Sequence, residues 1–280
     1  MRAPFIPPRP PPRRPSRWGA WAERLAPPLA LGLCLAGLYA WGQQGLEEHR
    51  RFLMPGADAI WRGGFGDPMI RAELLRAAFA TAQIALAGLA ISIPIGVALG
   101  VAMFRWRVAE RALIPYLVAL QSLPILAIIP LLQALLGFGF LPKALIVALF
   151  TFFAVPTTLL LGLKSLDNAI LDLFRLHQAN WRVMLWKAGL PSALPAMFAG
   201  LRISAGLAVI GAIVSELFFV SGDGGLGQLL VNSKIDFQYE KMYAGLIVSA
   251  AMSIAVYLFF GWLGRALFGN WHSSETTARL

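Results

Sequence analysis

With 280 residues, 58% of them hydrophobic and only 14% charged, the chain is too apolar for a soluble domain and too rich in long uncharged runs for a single membrane anchor. Its net charge of +10 would suit nucleic acid on a water-soluble face, but the basic residues sort by side of a membrane, which excludes that partner. One cysteine, Cys34, excludes an internal disulfide, and His49, His177 and His272 stand too far apart to make a metal site.

Residues 1–24 hold six Arg and a run of Pro, with Glu23 the only acid, which predicts an extended or disordered cytoplasmic arm. A membrane domain over 25–268 follows, then a short cytoplasmic tail over 269–280. Leu25 to Leu46 is uncharged and long enough to be the first span. Glu47 to Arg76 is mixed in character, with Gly63-Gly64 and Asp67-Pro68 as breakers, and reads as a loop. Ala77 to Phe104 and Ala112 to Pro142 are spans two and three, joined by a turn with Arg105, Arg107, Glu110 and Arg111. The third is longer than a bilayer requires and is cut by Pro115, Pro124 and Pro130, which predicts a kink and a re-entry near Gly137-Phe138-Gly139. Gln121 and Ser122, at the kink, are candidates to line a translocation path, although prolines also kink helices without function. Ala144 to Leu163, Ile203 to Gly222 and Met242 to Gly264 complete six spans, so the fold class is an all-α polytopic membrane protein.

With both ends inside, the inner segments carry 16 of the 24 Lys and Arg and the outer ones eight, Lys143 among them. The charged stretch Lys164 to Arg202 then falls in the cytoplasm. Ile170, Leu171, Phe174, Leu176, Trp181, Leu185 and Trp186 recur there at helical spacing, and Pro191 and Pro195 stop the pattern. One or two short amphipathic helices, broken before span five, are expected. An apolar stripe this large among charges marks a docking surface rather than a solvated linker.

Glu216 is the one acid inside a span, 14 residues or about 21 Å beyond Arg202 and therefore towards the outer side. It is a candidate for a polar path or a bond to a neighbouring helix, with capping of the segment Ser221 to Gly227 as the structural alternative. Gly224, Gly225 and Gly227 lie in a glycine-rich external loop that lacks the Gly-Lys-Ser/Thr of a phosphate-binding loop. The loop reads as a tight turn into a short helix, Gly227 to Ser233, or as a contact surface for another protein. No nucleophile, carboxylate pair or metal motif points to catalysis.

Leu190-Pro191, Ala193-Leu194-Pro195 and Gly200-Leu201-Arg202 resemble the end of the cytoplasmic "EAA" loop of bacterial ABC importer permeases, the loop that docks on the ATPase. Asp172-Leu173-Phe174 stands where that pattern has Glu-Ala-Ala, and Gln178 where it has a glycine, while Ala179 and Trp181 fit its small and aromatic positions. Since a side chain disfavours positive φ where glycine does not, Gln178 puts the turn there in question. Phe52-Leu53-Met54-Pro55, Gln121-Ser122-Leu123-Pro124, Pro130-Leu131-Leu132 and Gly137-Phe138-Gly139-Phe140-Leu141-Pro142 are similar to the nitrate, sulfonate, taurine and thiamin-pyrimidine branch of that family. The resemblance implies a type I importer permease of the inner membrane that works as a homodimer in the lipid bilayer. Its partners would be two cytoplasmic ATPase subunits, which carry the ATP and Mg, and an external solute-binding protein. This chain itself would need no cofactor. The ATPase-coupling residues it implies are Asp172, Phe174, Gln178, Ala179, Asn180, Trp181, Arg182, Leu185, Pro191, Pro195 and Gly200. The solutes it implies are sulfonate- or nitrate-like anions or thiamin-pyrimidine or riboflavin-like precursors. An ATPase-independent secondary transporter or channel is the rival, and it predicts paired intramembrane charges or inverted repeats.

Overall fold

The structure is a computed structural model and describes residues 17–45, 47–219 and 224–268. The chain divides into two compact units, 1–56 and 57–280. In the first, α1 (Arg17–Gln44) is a 28-residue helix followed by a 3-10 turn, Glu48–Leu53. The Tyr39 hydroxyl donates to the Pro55 carbonyl at 2.9 Å and folds the following segment back on the helix. The helix begins eight residues before the expected first span, because the prolines of the arm end at Pro15 and Trp18 to Arg24 can all be helical. Residues 1–16 of the expected arm and the tail 269–280 lie outside the described residues.

The second unit is all-α among its described residues. A short helix α2 (Ala57–Ile60) and a π turn, Trp61–Gly66, lead to α3 (Pro68–Arg105). The Asp67-Pro68 pair, read as a breaker, starts this helix: the Asp67 carboxylate accepts from Met69 N–H at 2.8 Å, and Pro68 takes the first-turn position that needs no N–H. Spans grow at their ends in this way, because capped polar turns continue a helix that hydropathy alone would stop.

The third expected span is two helices, α4 (Arg107–Ser122) and α5 (Ile125–Leu136), bent by 93°. Leu123, forced from the helical region by Pro124, is extended at φ −66° and ψ 133°. Gly137, at φ 73°, then turns the chain into α6 (Phe140–Thr151) and α7 (Ala154–Lys164), which together make one 25-residue span. After α8 (Asn168–Leu176) come α9 (Trp181–Met184), a π turn at Leu185–Gly189 and α10 (Leu190–Phe218). The last helices are α11 (Leu226–Ile235) and α12 (Tyr239–Phe268).

Pro191 and Pro195 do not end the helix, contrary to the expectation from sequence: Trp181–Phe218 is a 38-residue helical span. Pro191 lacks the N–H that would bond back to Lys187, and Lys187 lies in the π turn, where the ladder is already rearranged. The second amphipathic helix and span five are therefore one rod. Among the described residues four helices have the length and apolarity to cross a membrane, or five if the bent pair α4–α5 counts as one span. Six were expected; the first of them, Leu25 to Leu46, falls largely on α1, which is not among these helices.

The rod α10 is the centre of the second unit, packed on α3, α6, α7 and α12. Small residues let the helices approach. Val147 fills the space a Cβ would need at Gly88, and Val155 does so at Gly96. On the other side Ala193 lies against Gly162, and Gly200 against Thr158 and Ala154. Ser204 Oγ donates to the Thr151 carbonyl at 3.2 Å. These contacts fix an antiparallel register between α10 and α6–α7. One end of the bundle is marked by Lys164 and the other by Glu216.

Candidate functional site

At the Lys164 end the chain leaves the bundle as a helical hairpin. The Asp167 carboxylate caps α8 by accepting from Ala169 N–H at 3.0 Å, and the Asn180 side chain caps α9 by accepting from Arg182 N–H at 3.3 Å. Between them Gln178 has φ 49°, a left-handed conformation in a residue with a side chain. Ala179 N–H to the Phe174 carbonyl, 3.0 Å, and Gln178 N–H to the Arg175 carbonyl, 2.9 Å, hold the turn. Gln178→Gly is expected to raise stability by up to about 1 kcal/mol, and Gln178→Val to lower it by more, in thermal unfolding of the purified chain.

The hairpin is amphipathic in an inverted sense. Ile170, Leu173 and Leu176, three residues apart, are all exposed, Leu176 by 82%. Asp172 pairs with Arg175 at 3.0 Å on the exposed surface, and Phe174 is half-buried. Trp181 turns inward: it packs on the buried cluster of Leu159, Leu163, Leu185 and Ala193, and the Arg105 guanidinium lies 5.3 Å from its ring centre. Trp186 is exposed, so the three aromatics do not form one stripe. Arg182 is exposed and Leu185 buried; Pro191 and Pro195 are half-buried and Gly200 buried, within the rod. Lys164, at the foot of the hairpin, pairs with Glu110 of α4.

At the other end Glu216 is fully buried. Thr81 Oγ1 of α3 lies 2.9 Å from each carboxylate oxygen, and Gly227 N–H of α11 donates to Oε2 at 2.8 Å. Thr81 Oγ1 in turn accepts from Leu226 N–H at 2.8 Å. One carboxylate and one hydroxyl thus take two of the free N–H groups at the start of α11, where negative charge is favoured. Lys143 of α6, only 4% exposed, supplies an attractive positive charge to Glu216. Counted by sequence among outer-loop cations, Lys143 is instead a core residue.

The glycines here are required by close approach. A Cβ on Gly225 would overlap the Glu216 carboxylate, and one on Gly227 would lie 2.7 Å from Glu216 Cβ and overlap the Ile213 carbonyl. Gly224 is exposed; Ser221, Gly222 and Asp223 lie outside the described residues. The Glu216 carboxylate thus bonds α3 through Thr81 and the start of α11 through Gly227. Gln121 and Ser122 are exposed, with Ser122 Oγ donating to the Val118 carbonyl at 3.0 Å, and no hydrogen bond joins them to Glu216 among the described residues.

Beside this network α3 and α11 line a cavity of about 660 Å³ whose walls include Glu73, Arg76, Gln83, Gln228 and Asn232. Gln228 Oε1 is buried there without a hydrogen-bond partner among the described residues. Sequence reading missed Thr81 and this cavity, because neutral polar residues in an uncharged run carry no hydropathy signal. The i, i+4 and i+7 spacing of Arg76, Ala80 and Gln83 on one helix face was the available clue.

Comparison with known proteins follows the same outline. The family described as binding-protein-dependent transport system inner membrane component matches residues 92–269. A riboflavin transport system permease protein, RibX, of Chloroflexus aurantiacus is 30% identical over 89% of this chain and 92% of its own length. A formylaminopyrimidine transport permease protein, ThiX, of Halalkalibacterium halodurans is 34% identical over 62% of this chain and 69% of its own. A probable ABC transporter permease protein of Haemophilus influenzae is 35% identical over 56% and 63% respectively. Among solved structures, a chain of the MetNI methionine ABC transporter in inward-facing conformations aligns at a TM-score of 0.53 and 18% identity, covering 71% of this chain and 98% of that one. At that identity the likeness is one of fold.

Proposed function

Because this chain belongs to the family of binding-protein-dependent transport system inner membrane components, we propose that it is the membrane half of a homodimeric importer driven by two cytoplasmic ATPase subunits. In this reading an external binding protein delivers a small solute, a sulfonate- or nitrate-like anion or a thiamin-pyrimidine or riboflavin-like precursor. The Lys164 end faces the cytoplasm and the Glu216 end faces outward, with both termini inside. ATP and Mg belong to the ATPase.

The observation that carries the proposal is the exposed apolar row Ile170, Leu173 and Leu176 on a capped helix beyond the bundle, a surface suited to a groove in another protein. The residues behind it explain how force would travel. The turn at Gln178 joins α8 to α9, and α9 is continuous with α10, a rod of 38 residues and about 57 Å. A push on the hairpin therefore reaches Glu216 and α11 without a flexible joint, as alternating access requires.

Leu173→Glu with Leu176→Glu tests this. Both side chains are exposed, so the membrane domain should still purify as a dimer, while co-purification with the ATPase encoded beside it and the stimulated ATP hydrolysis should fall by about tenfold or more. Solute uptake by the wild type with no ATPase present would remove the importer reading and leave the secondary transporter in its place.

A further inference from the structure

Two guanidinium groups meet at one glycine where α10 packs on α12. Phe198 and Arg202, one turn apart on α10, lie against Gly264 and Gly261 of α12. Side chains on a helix lean towards its N-terminus, so Arg202 reaches along α10 towards the Lys164 end, and its Cζ atom lies 2.9 Å from where a Cβ on Gly261 would stand. Arg265, one turn further along α12, reaches back to the same residue: its Nε donates to the Gly261 carbonyl at 3.3 Å. The two fixed charges are therefore within about 10 Å of each other, a span that one phosphate group can bridge.

The protein does not neutralise either charge among the described residues. Arg202 Cζ stacks 3.9 Å from the centre of the Tyr257 ring, but its Nε is buried without a hydrogen-bond partner, and no carboxylate pairs with Arg202 or Arg265. The described acids of this unit at the Lys164 end are Glu110, Asp167 and Asp172. Each is engaged: Glu110 with Lys164, Asp167 as the cap of α8, and Asp172 with Arg175. A second copy related by a twofold axis along the membrane normal brings the same three acids, equally engaged. Guanidinium groups stay charged in proteins, and two of them this close, one half-buried, call for an anion from elsewhere.

The neighbouring surface indicates the kind of anion. Ile254, Leu258 and Trp262 follow one another at four-residue spacing on α12, and all three are exposed. On a helix that spans a membrane such an apolar row faces acyl chains. Tyr257 and Gly261 line the adjacent row, where Arg202 lies. Arg265, itself exposed, comes four residues after Gly261 and three after Trp262, and so stands where the two rows meet at the end of the helix. Tryptophan at such an end favours the headgroup level, which is also the level of lipid phosphates. A soluble anion would satisfy the arginines and leave the apolar row unused. A phospholipid satisfies both, with its phosphate on the guanidinium groups and its chains along Leu258 and Ile254.

We propose that Arg202 and Arg265 bind the phosphate of an anionic phospholipid at the seam of α10 and α12. A zwitterionic headgroup brings a cation of its own next to two unneutralised guanidinium groups, whereas phosphatidylglycerol brings none, so the site prefers the anionic lipid. The bound phosphate ties α12 to the rod α10. The proposal needs only that these helices span a membrane and is independent of ATP-driven import; in the orientation proposed above, the leaflet is the cytoplasmic one.

The test uses the full-length chain purified in detergent and depleted of lipid. Binding of dioleoylphosphatidylglycerol and dioleoylphosphatidylcholine is measured by native mass spectrometry, well below the melting temperature. The wild type should bind phosphatidylglycerol about fivefold or more tightly than phosphatidylcholine, and Arg202→Gln and Arg265→Gln should each remove most of that preference. Arg265→Lys keeps the charge and should keep most of it. Arg265 is exposed, so its variants fold whatever Arg202→Gln does. Equal affinity of Arg265→Gln and the wild type for phosphatidylglycerol, or no preference in the wild type, overturns the proposal. So does an equal loss in Arg71→Gln, an exposed arginine at the other end of the bundle, since the attraction would then be that of the net charge alone. Displacement of phosphatidylglycerol by inorganic phosphate at equal concentration would make the site one for a soluble anion and overturn it too.

Discussion

Glu216→Ala is expected to destabilise the membrane domain by at least about 1–3 kcal/mol, the cost of leaving a buried donor without its acceptor, with the loss of a buried side chain added to it. The substitution leaves Gly227 N–H without its 2.8 Å acceptor and deprives buried Lys143 of a neighbouring negative charge. It also opens a void in a fully buried site. Glu216→Gln should fall between, since its amide oxygen can still accept from Gly227 while the charge is lost. Thr81→Val should cost about 1–3 kcal/mol, because Leu226 N–H then faces a methyl group. The measurement is thermal unfolding in detergent with limited proteolysis of the segment 219–226. Melting of Glu216→Ala at the wild-type temperature, with α11 still protected, would show that packing alone holds α11 to α3.

Gly200→Leu should prevent α10 from docking on α7, costing at least about 1–3 kcal/mol and in practice the fold, because an overpacked atom has nowhere to go. A Cβ there would overlap Thr158 Oγ1 and come within 3.0 Å of the Ala154 carbonyl. A side chain can be trimmed but a backbone carbonyl cannot. Gly200→Ala combined with Thr158→Ala should therefore recover only part of the loss. Gly206 supplies the control: on the same helix a Cβ there meets nothing within 4 Å, and Gly206→Ala should be neutral or stabilising by up to about 1 kcal/mol. Yield of monodisperse protein and melting temperature read both. Equal behaviour of the 200 and 206 variants would mean that the α10–α7 seam is looser than the packing indicates.

These two sites stand at different distances from what a reader of the sequence can see. Glu216 announces itself, as a lone carboxylate in an apolar run must have a partner, and its level near one end follows from counting residues at 1.5 Å each. Its partners do not announce themselves. Thr81 is 135 residues away in sequence, and nothing in its neighbourhood distinguishes it from other threonines in spans. Gln178 is a case where the family resemblance supplied the position: where that pattern has a glycine, φ is 49°.

The sequence by itself determined the membrane class, the helical spans built on Ala77 to Phe104, Ala144 to Leu163 and Met242 to Gly264, a break within the proline-cut third span and an amphipathic helix in the charged stretch. Each of these is a property of residues near one another in the chain: run length, proline, or helical periodicity. Tertiary structure decided that Pro191 and Pro195 lie inside one rod, that Lys143 is core and that Arg202 belongs to that rod and stacks on the Tyr257 ring of α12. The physical reason is that a proline or a charge carries a local cost legible in sequence, whereas the π turn, the Glu216 carboxylate and the Tyr257 ring that offset those costs are supplied by the three-dimensional surroundings.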